Sequence, residues 1–305
     1  MKRILFIFLD GIGIGPEGGQ NLFGSEDLKG FNTLAAGHSW TEEDFKAVST
    51  SNHVVRSIDA NLGIPGLPQS GTGQATIFSG VNCAQLAGRH YGPYPHSTSR
   101  PILATDNVYH KVARIRGAHS SRFLNAYPDQ FFERAKQRDR WSVTTRCCLD
   151  AQMHISSLDD LESGMAIAAD FTGAGLQRFV KRDLTIIDEK QAATRMSDLA
   201  QMQSLSVFEY FHSDKAGHAQ DHTQAKSVLG LLDRFFQALI QTINFSNTTL
   251  VITSDHGNLE DVSVKTHTRN PVPLIAMGPS AYAFDAVRDL SGITPAILRG
   301  LHPTE

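Results

Sequence analysis

The chain has 305 residues, of which 41% are hydrophobic and 19% are charged, and its formal net charge is −3. These values are typical of a soluble globular protein with a large core, and so small a net charge gives no indication of a nucleic-acid or membrane partner. The first apolar run, Ile4 to Leu9, is too short to cross a bilayer and is followed by Asp10, so we expect neither a signal peptide nor a membrane helix.

The first predicted element is a central strand from Arg3 to Leu9. It ends in Asp10-Gly11-Ile12-Gly13-Ile14-Gly15, where glycine allows a sharp turn beneath Asp10. The glycines lack the spacing of a dinucleotide-binding loop. We therefore interpret Asp10 as a carboxylate ligand at the strand tip, and capping of the turn is the alternative.

Residues 17–62 indicate a helical and loop region over the sheet. The sequence Ser70-Gly71-Thr72-Gly73 then predicts a tight turn that begins a helix, and backbone amides at a helix start favour an anion. Ser70 and Thr72 are both candidate nucleophiles. Helix capping is the commoner role of such a hydroxyl.

Residues 89–190 are charged and weakly patterned, which predicts an inserted cap or substrate lobe, with 1–88 and 191–305 as a metal-binding α/β core. The lobe begins with basic residues that could bind a phosphorylated substrate or form a solvated surface: Arg89, His90, His96 and Arg100. Its predicted elements are a helix at 131–140, a β-prone segment at 142–148 and a helix at 158–169.

Three cysteines, Cys83, Cys147 and Cys148, provide no disulfide framework, and we expect them to be reduced structural residues in a cytoplasmic protein. Residues 188–202 indicate a helix. A strand follows at 204–211, and it leads into Asp214 and His218. These side chains can turn toward one ion if the segment coils as a helix.

An amphipathic helix is predicted from Ala225 to Ile243, and a last helix from Thr294 to Leu301. Between them, Leu250-Val251-Ile252 indicates a buried strand that ends at Asp255 and His256, with His267 in the next loop. Open α/β sheets bind ligands at such strand ends. Buried ionisable groups of this kind suit a divalent metal, although Asp-His-Gly alone could be a polar turn.

Polar residues thus follow several predicted strands, and none of them is a thiolate. Carboxylates and imidazoles in this mixture can hold two divalent ions. Two ions roughly 4 Å apart would clamp the attacking and leaving oxygens of an in-line displacement at phosphorus.

Five motifs occur in one order along the chain: FLDGIGIG, SGTGQ, DKAGH, DHGN and HTRNPVP. In this combination the sequence resembles the alkaline phosphatase superfamily of metalloenzymes, nearest its phosphopentomutase and cofactor-independent phosphoglycerate mutase branch. The resemblance spans residues 5 to 279. It implies an α/β fold, with a mostly parallel sheet between helices and an inserted smaller cap lobe.

The resemblance also implies the ligands: Asp214, His218 and His267 on one ion, Asp10, Asp255 and His256 on the other, and Ser70 as the bridging nucleophile that becomes phosphorylated. Ser70 lies ten residues before Gly80, which is the family's spacing, so we prefer it to Thr72. His222 is an alternative ligand if the local turn is unusual.

We therefore expect a phosphoester hydrolase that uses two divalent ions, Zn or Mn and possibly Mg, and acts on a small phosphorylated substrate. A phosphomutase of the same branch is the first alternative. A catalytically inactive metal-binding protein is the second.

Overall fold

A computed structural model describes residues 1–302, and its centre is a sheet of seven strands in the spatial order β2-β3-β7-β6-β1-β5-β4. The strands are β1 (Arg3–Leu9), β2 (Val48–Ser49), β3 (His53–Ile58), β4 (Ser121–Phe123), β5 (Leu205–Tyr210), β6 (Thr248–Ser254) and β7 (Val272–Met277).

The α-helices are α1 (Leu22–Ser25), α2 (Lys29–Leu34), α3 (Ser70–Ser79), α4 (Cys83–Ala87), α5 (Arg100–Asp106), α6 (Val108–Arg116), α7 (Asp129–Arg138), α8 (Val143–Asp150), α9 (Leu158–Glu162), α10 (Ala174–Gln177), α11 (Glu189–Ala200), α12 (His212–Ala219), α13 (His222–Thr242) and α14 (Ile293–Leu301). Two short 3₁₀ helices span Ala281–Phe284 and Leu290–Gly292. Among residues 1–302, no helix combines the length and the apolar character needed to cross a bilayer.

The sheet is mixed, and β1 lies near its middle between two parallel neighbours, β5 and β6. On the outer side of β6, β7 runs antiparallel to both β6 and β3, so β3 has the direction of β1. Strand β4 is parallel to β5, whereas the short β2 is antiparallel to β3. The α/β fold expected from the sequence is confirmed.

Successive side chains of a strand point to opposite faces of the sheet, and this produces an apolar core on each face. On β1, Ile4, Phe6 and Phe8 pack into one buried cluster, together with side chains of α3, α6, α8 and α14. Leu5 and Ile7 of the same strand pack into a second cluster with α2, α11 and α13. The sheet is therefore buried between two helical layers, as its nearly continuous apolar strands require.

Three predicted elements differ from those observed. Residues 17–62 include β2 and β3 as well as helices. The β-prone segment 142–148 belongs to α8, because the Ser142 hydroxyl accepts a hydrogen bond from Thr145 N and begins a helix there. The helix predicted at 158–169 ends at Glu162, and Gly164 follows with a φ of 76°.

Residues 89–190, predicted as an inserted lobe, contribute β4 to the main sheet. Leu103, Val112 and Phe123 from this range also lie in the same buried cluster as Phe6. The division into a core and a cap stays a prediction, and the last residues of the predicted core, 303–305, lie outside the described range.

Candidate metal centre

Three parallel strands end at one edge of the sheet and bring the acidic and histidine motifs together there. Asp10 follows β1, and Asp255 and His256 follow β6. Asp214 lies in the first turn of α12, directly after β5. Because β1 lies between β5 and β6, side chains about two hundred residues apart in sequence converge on one site.

Asp10, Asp255 and His256 form what we call the closed group. The His256 Nε2 atom lies 3.4 Å from Asp10 Oδ1 and 3.5 Å from Asp255 Oδ2. Asp255 and His256 are fully buried, and Asp10 is 8% exposed. One ligand atom from each residue lies within 4.8 Å of the others, which is close enough for a shared cation.

Asp214, His218 and His267 form what we call the open group. One helical turn of α12 places His218 over Asp214, with His218 Nε2 3.4 Å from Asp214 Oδ2. The His267 Nε2 atom lies 3.6 Å from Asp214 Oδ1 and 3.1 Å from His218 Nε2. The His218 side chain is 39% exposed, so this group is reached by solvent.

The two groups touch through their histidines. The His256 and His267 rings stack with centroids 3.7 Å apart. Ligand atoms of Asp214, His256 and His267 also lie within 4.8 Å of one another, so His256 can contribute to either group.

Backbone carbonyls orient the two histidines of the open group. His267 Nδ1 lies 2.7 Å from Pro68 O, and His218 Nδ1 lies 2.7 Å from Lys265 O. An Nδ1–H that donates to a carbonyl leaves Nε2 unprotonated and directed at its neighbours, which is the usual arrangement of a metal-binding imidazole.

The closed group is electrostatically unfavourable without a cation. Burial, and then the charge of Asp255, raise the pKa of Asp10 well above its usual value. Burial, with Asp214 nearby, raises the pKa of Asp255 to about 7. Burial and His267 lower the pKa of His256 to about 3. Within residues 1–302, Asp10 Oδ1 is buried and has no hydrogen-bond partner. A divalent cation would satisfy that oxygen and offset the repulsion, so these residues fit a metal.

The two candidate nucleophiles have different surroundings. Ser70 is the first residue of α3, and its Oγ lies 3.0 Å from His256 Nε2. The Thr72 hydroxyl is buried, donates to Gln69 O at 3.2 Å and accepts from Tyr91 N at 3.1 Å. Ser70 therefore lies beside the closed group, whereas Thr72 holds the 91–95 loop against the start of α3.

Close packing fixes the turn that carries Ser70. A Cβ atom at Gly71 would fall 2.7 Å from Tyr91 O and would collide with Tyr94 O. On the opposite side of the site, Gly11 has a φ of 70°, and a Cβ there would lie 2.8 Å from Asp214 Oδ1. Glycine is required at both positions because neighbouring groups approach so closely.

Sequence reasoning gave no role to Gln74 or Asn258, and both contact the predicted ligands. Gln74 Nε2 donates to Asp255 Oδ2 at 3.2 Å and lies 3.5 Å from Asp10 Oδ2. Asn258 Nδ2 donates to Asp214 Oδ1 at 2.7 Å. Gln74 lies one helical turn after Ser70, and Asn258 is the last residue of the DHGN motif. These positions in the sequence were the only signal that the two residues lie near the site.

Glu260 was also missed, and it joins the loops around the site. Its carboxylate accepts from Gly13 N at 2.8 Å and from Asn258 N at 2.7 Å. It also accepts from the Thr268 hydroxyl and from Asn270 Nδ2. One buried side chain therefore ties the loop after β1 to the loop after β6 and to the segment that follows His267.

The predicted substrate-binding residues surround the 91–95 loop without forming one cluster. Arg89 lies over the Tyr91 ring, which packs edge-on against His96. His90 Nε2 lies 3.2 Å from Ile64 O, and Arg100 pairs with Asp139. Their binding role stays a prediction. The alternative ligand His222 is an exposed residue at the start of α13.

Comparison with known proteins finds partial similarity to metalloenzymes. Residues 179–302 match the model of the Metalloenzyme superfamily. The 2,3-bisphosphoglycerate-independent phosphoglycerate mutase of Halobacterium salinarum is 32% identical over 100 residues, which are 30% of this chain and 20% of that protein. The Ehrlichia canis protein of the same name is 29% identical over 147 residues, 41% of this chain and 29% of that one. The matches thus cover less than a third of these relatives.

Solved structures support the fold. The PH0037 protein of Pyrococcus horikoshii matches 100% of this chain and 98% of its own, with a TM-score of 0.58 and 13% identity. A cold-active alkaline phosphatase of Shewanella sp. matches 98% of this chain and 100% of its own (TM-score 0.52, 13% identity). Leishmania mexicana phosphoglycerate mutase matches 96% of this chain and 94% of its own (TM-score 0.51, 10% identity).

Proposed function

We propose that this chain belongs to the alkaline phosphatase superfamily near its phosphomutase branch and that it is a phosphoryl-transfer enzyme that hydrolyses a small phosphoester. Its partial similarity to the Metalloenzyme superfamily and to phosphoglycerate mutases supports this proposal. The observation that carries the proposal is the position of Ser70. Its hydroxyl lies at the start of a ten-residue helix and 3.0 Å from His256 Nε2. A candidate nucleophile, a positive helix end and two groups of candidate metal ligands thus lie close together, which supports the proposal.

The proposed ligands follow the two groups. Asp10, Asp255 and His256 would hold one divalent ion. Asp214, His218 and His267, whose side chains contact one another, would hold the other, with Zn, Mn and Mg as candidates. When bound, the ions would supply positive charge that lowers the pKa of the Ser70 hydroxyl and neutralises the phosphoryl oxygens.

The protein side chains position the reacting atoms. Ser70 Oγ forms a bond to phosphorus as the ester oxygen leaves, which gives a phosphoserine. A water oxygen then displaces Ser70 Oγ and releases inorganic phosphate. The positive end of the α3 dipole would favour the phosphoryl oxygens beside Ser70. The 91–95 loop holds that turn in place, because Thr72 N donates to Tyr91 O and the Thr72 hydroxyl accepts from Tyr91 N.

Replacement of Ser70 tests the proposal. We expect Ser70→Ala to abolish hydrolysis of an aryl phosphate while the content of bound Zn²⁺ or Mn²⁺ is retained. Thr72→Ser is the matched control, because it keeps a hydroxyl and removes only a methyl group, and we expect it to remain active. Turnover by Ser70→Ala at the wild-type rate would exclude this mechanism.

A phosphomutase is the second candidate, because the matched relatives of Halobacterium salinarum and Ehrlichia canis are both named as mutases. A mutase returns the phosphoryl group from Ser70 to the substrate, whereas a hydrolase releases it to water. A ³²P-labelled sugar phosphate distinguishes the two. Labelled inorganic phosphate in every turnover supports the hydrolase, and label retained in an isomeric sugar phosphate supports the mutase.

A further inference from the structure

A cavity with arginine and aromatic side chains in its lining lies beside the loop that holds the start of α3. It has a volume of about 500 Å³, which suits a small organic molecule. The 91–95 loop, α7, the segment between α7 and α8, and the residues around the end of α10 form it. Its lining includes Tyr94, Phe131, Arg134, Arg138, Arg140 and Phe179.

On one side the cavity adjoins the turn that carries Ser70. Tyr94 lines the cavity, and its carbonyl oxygen packs so closely against Gly71, the residue after Ser70, that a Cβ atom there would collide with it. The 91–95 loop therefore contacts both the start of α3 and the cavity.

On another side the cavity adjoins the start of α8, which lies near the end of β5. Ser142 lines the cavity and caps α8. The hydroxyl of Thr144, in the first turn of that helix, donates to Glu209 Oε2 at 2.6 Å. Glu209 is the penultimate residue of β5, the strand that leads into Asp214. The cavity and the metal centre thus lie at the same edge of the sheet.

Two of the cavity arginines come from one face of α7. Arg134 and Arg138 lie one helical turn apart, so their side chains are neighbours on the helix surface. Phe131 and Ala135 line the same cavity, and the spacing 131, 134, 135 and 138 is that of a single helix face. Both guanidinium groups are therefore carried by the helix face that borders the cavity.

The positive charge of the cavity is not balanced by acidic residues. The third arginine, Arg140, lies over the Tyr94 ring, 5.8 Å from its centroid. Within residues 1–302, no aspartate or glutamate lines the cavity, and Asp139, which precedes Arg140, pairs with Arg100 and Arg146. Six arginines form ion pairs with carboxylates in the described part of the chain, and the three cavity arginines are not among them: Arg56, Arg100, Arg114, Arg146, Arg182 and Arg234.

The apolar part of the lining includes an exposed aromatic ring. Phe131 packs edge-on against Trp141, whereas the Phe179 side chain is 78% exposed and its ring is open to a ligand. An exposed phenyl ring beside guanidinium groups is a stacking surface for another aromatic ring. Inorganic phosphate would use the arginines alone, whereas an aromatic anion would use both parts of the lining.

We propose that this cavity is a substrate subsite of the metal centre. It binds the leaving part of a phosphoester that carries an aromatic ring and a second anionic group, which is the chemistry of a nucleoside bisphosphate. Arg134, Arg138 and Arg140 bind the second anionic group, and Phe179 stacks on the ring. This assignment rests on the proposed function, because the scissile phosphoryl group is assigned to Ser70 and the two ligand groups.

Calorimetric titration of metal-loaded Ser70→Ala protein provides the test, because it measures binding without turnover. The ligands are ribose 5-phosphate, AMP and adenosine 3′,5′-bisphosphate, which add first the base and then a second phosphate. We expect each addition to raise the affinity about tenfold or more, through stacking and through arginine contacts respectively. The same order of kcat/KM is expected for phosphate release by the protein that retains Ser70.

Removal of one guanidinium group tests the anionic part of the subsite. We expect Arg138→Met to weaken binding of the bisphosphate about tenfold or more and to weaken binding of AMP less. Lys136→Met is the matched control, because it removes a positive charge from an exposed position of α7 outside the cavity. Arg134→Met, also at an exposed position, is the second variant.

Truncation of the exposed ring tests the aromatic part. We expect Phe179→Ala to remove most of the difference in affinity between AMP and ribose 5-phosphate. Ile186→Ala is the matched control, since it shortens an apolar side chain that is 49% exposed and lies outside the cavity.

Four results would overturn the subsite. The bisphosphate binds no more tightly than AMP, or AMP no more tightly than ribose 5-phosphate. Arg134→Met and Arg138→Met both leave the effect of the second phosphate unchanged, or the control variants weaken binding as much as the cavity variants do. The reverse order of kcat/KM would also contradict a role in substrate binding.

Failure of the phosphatase proposal gives a different result. Ser70→Ala would then release inorganic phosphate at the wild-type rate, or the protein with Ser70 would release none. The affinity ratios of the three ligands, and their response to the cavity variants, are measured independently of that release.

Discussion

The closed and open groups use the same residue types in different surroundings. Asp255 and His256 of the closed group are excluded from solvent, whereas the side chains of Asp214 and His218 are 18% and 39% exposed. In the closed group, the amide of Gln74 donates a hydrogen bond to the Asp255 carboxylate. In the open group, backbone carbonyls accept hydrogen bonds from the Nδ1 atoms of His267 and His218. Burial therefore makes the closed group unfavourable when it is empty, and water moderates that cost in the open group.

This difference suggests that the two groups bind ions with different strength. A buried acidic group gains more from a cation, because the interaction is screened less by solvent. We expect the closed group to retain its ion under conditions in which the open group loses one. The variants below test this expectation, from the largest expected effect to the smallest.

Replacement of His256 should damage both groups. Its Nε2 lies near Asp10, Asp255 and Ser70, and its ring stacks on His267. We expect His256→Ala to lower metal affinity and phosphatase activity by about 100-fold or more, because the closed group loses a proposed ligand and the open group loses the ring that stacks on His267. Metal content after dialysis, measured by mass spectrometry, checks this. Loss of only one ion equivalent would show that His256 serves one group alone.

Replacement of His218 should affect one ion only. His218 contacts Asp214 and His267 and no residue of the closed group. We expect His218→Ala to weaken one of two ions about tenfold to 100-fold and to leave the other bound. Calorimetric titration of metal-free protein resolves the two sites. His222→Ala, at an exposed histidine of the same region, is the control and should retain both affinities.

Gln74 should tune the closed group without binding a metal. Its amide donates to Asp255 Oδ2, so Gln74→Ala leaves that carboxylate without a buried donor. We expect about tenfold weaker binding of one ion and unchanged binding of the other. The exposed Gln85→Ala variant is the control. Equal weakening at both sites would contradict the assignment of Gln74 to the closed group.

The pH dependence of the thermal stability of the metal-free protein should reveal the charge repulsion in the closed group. Burial raises the pKa of Asp255 to about 7 from a usual value of 3.8. A raised carboxyl pKa contributes stability below the unfolded value, and that stability is lost as the pH rises through 7. His256, whose pKa is lowered to about 3, acts in the opposite direction, so the contribution of Asp255 is measured by comparison with a variant. We expect Asp255→Asn to raise the melting temperature of the metal-free protein about 5 °C more at pH 8 than at pH 5.

The sequence allowed prediction of the parts of the fold that are encoded locally. The apolar runs of β1 and β6 and the amphipathic pattern of α13 require no knowledge of their neighbours. The candidate ligands were implied by motifs in a known order, and the strand order explains why these residues lie together. By contrast, β3 was missed because its polar residues interrupt the apolar pattern, and its strand character depends on pairing with β7.

Helix α8 shows the opposite error, because a segment predicted to be β-prone is a helix. Val143, Thr144 and Thr145 favour a strand by intrinsic preference, but Ser142 caps a helix whose Val143 and Cys147 pack into the core. The roles of Gln74 and Glu260 were equally hidden, because each depends on which distant amides and carboxylates its side chain reaches. Such contacts are set by the tertiary fold.

Glu260 has a consequence for how cations would enter. Because its carboxylate connects three loops through protein donors alone, the segments that carry the candidate ligands are held in place without an ion. Such a preorganised framework requires little ordering on loading, so uptake should be limited by ion dehydration instead of loop folding. Metal-free protein should accordingly show native-like amide protection in these segments.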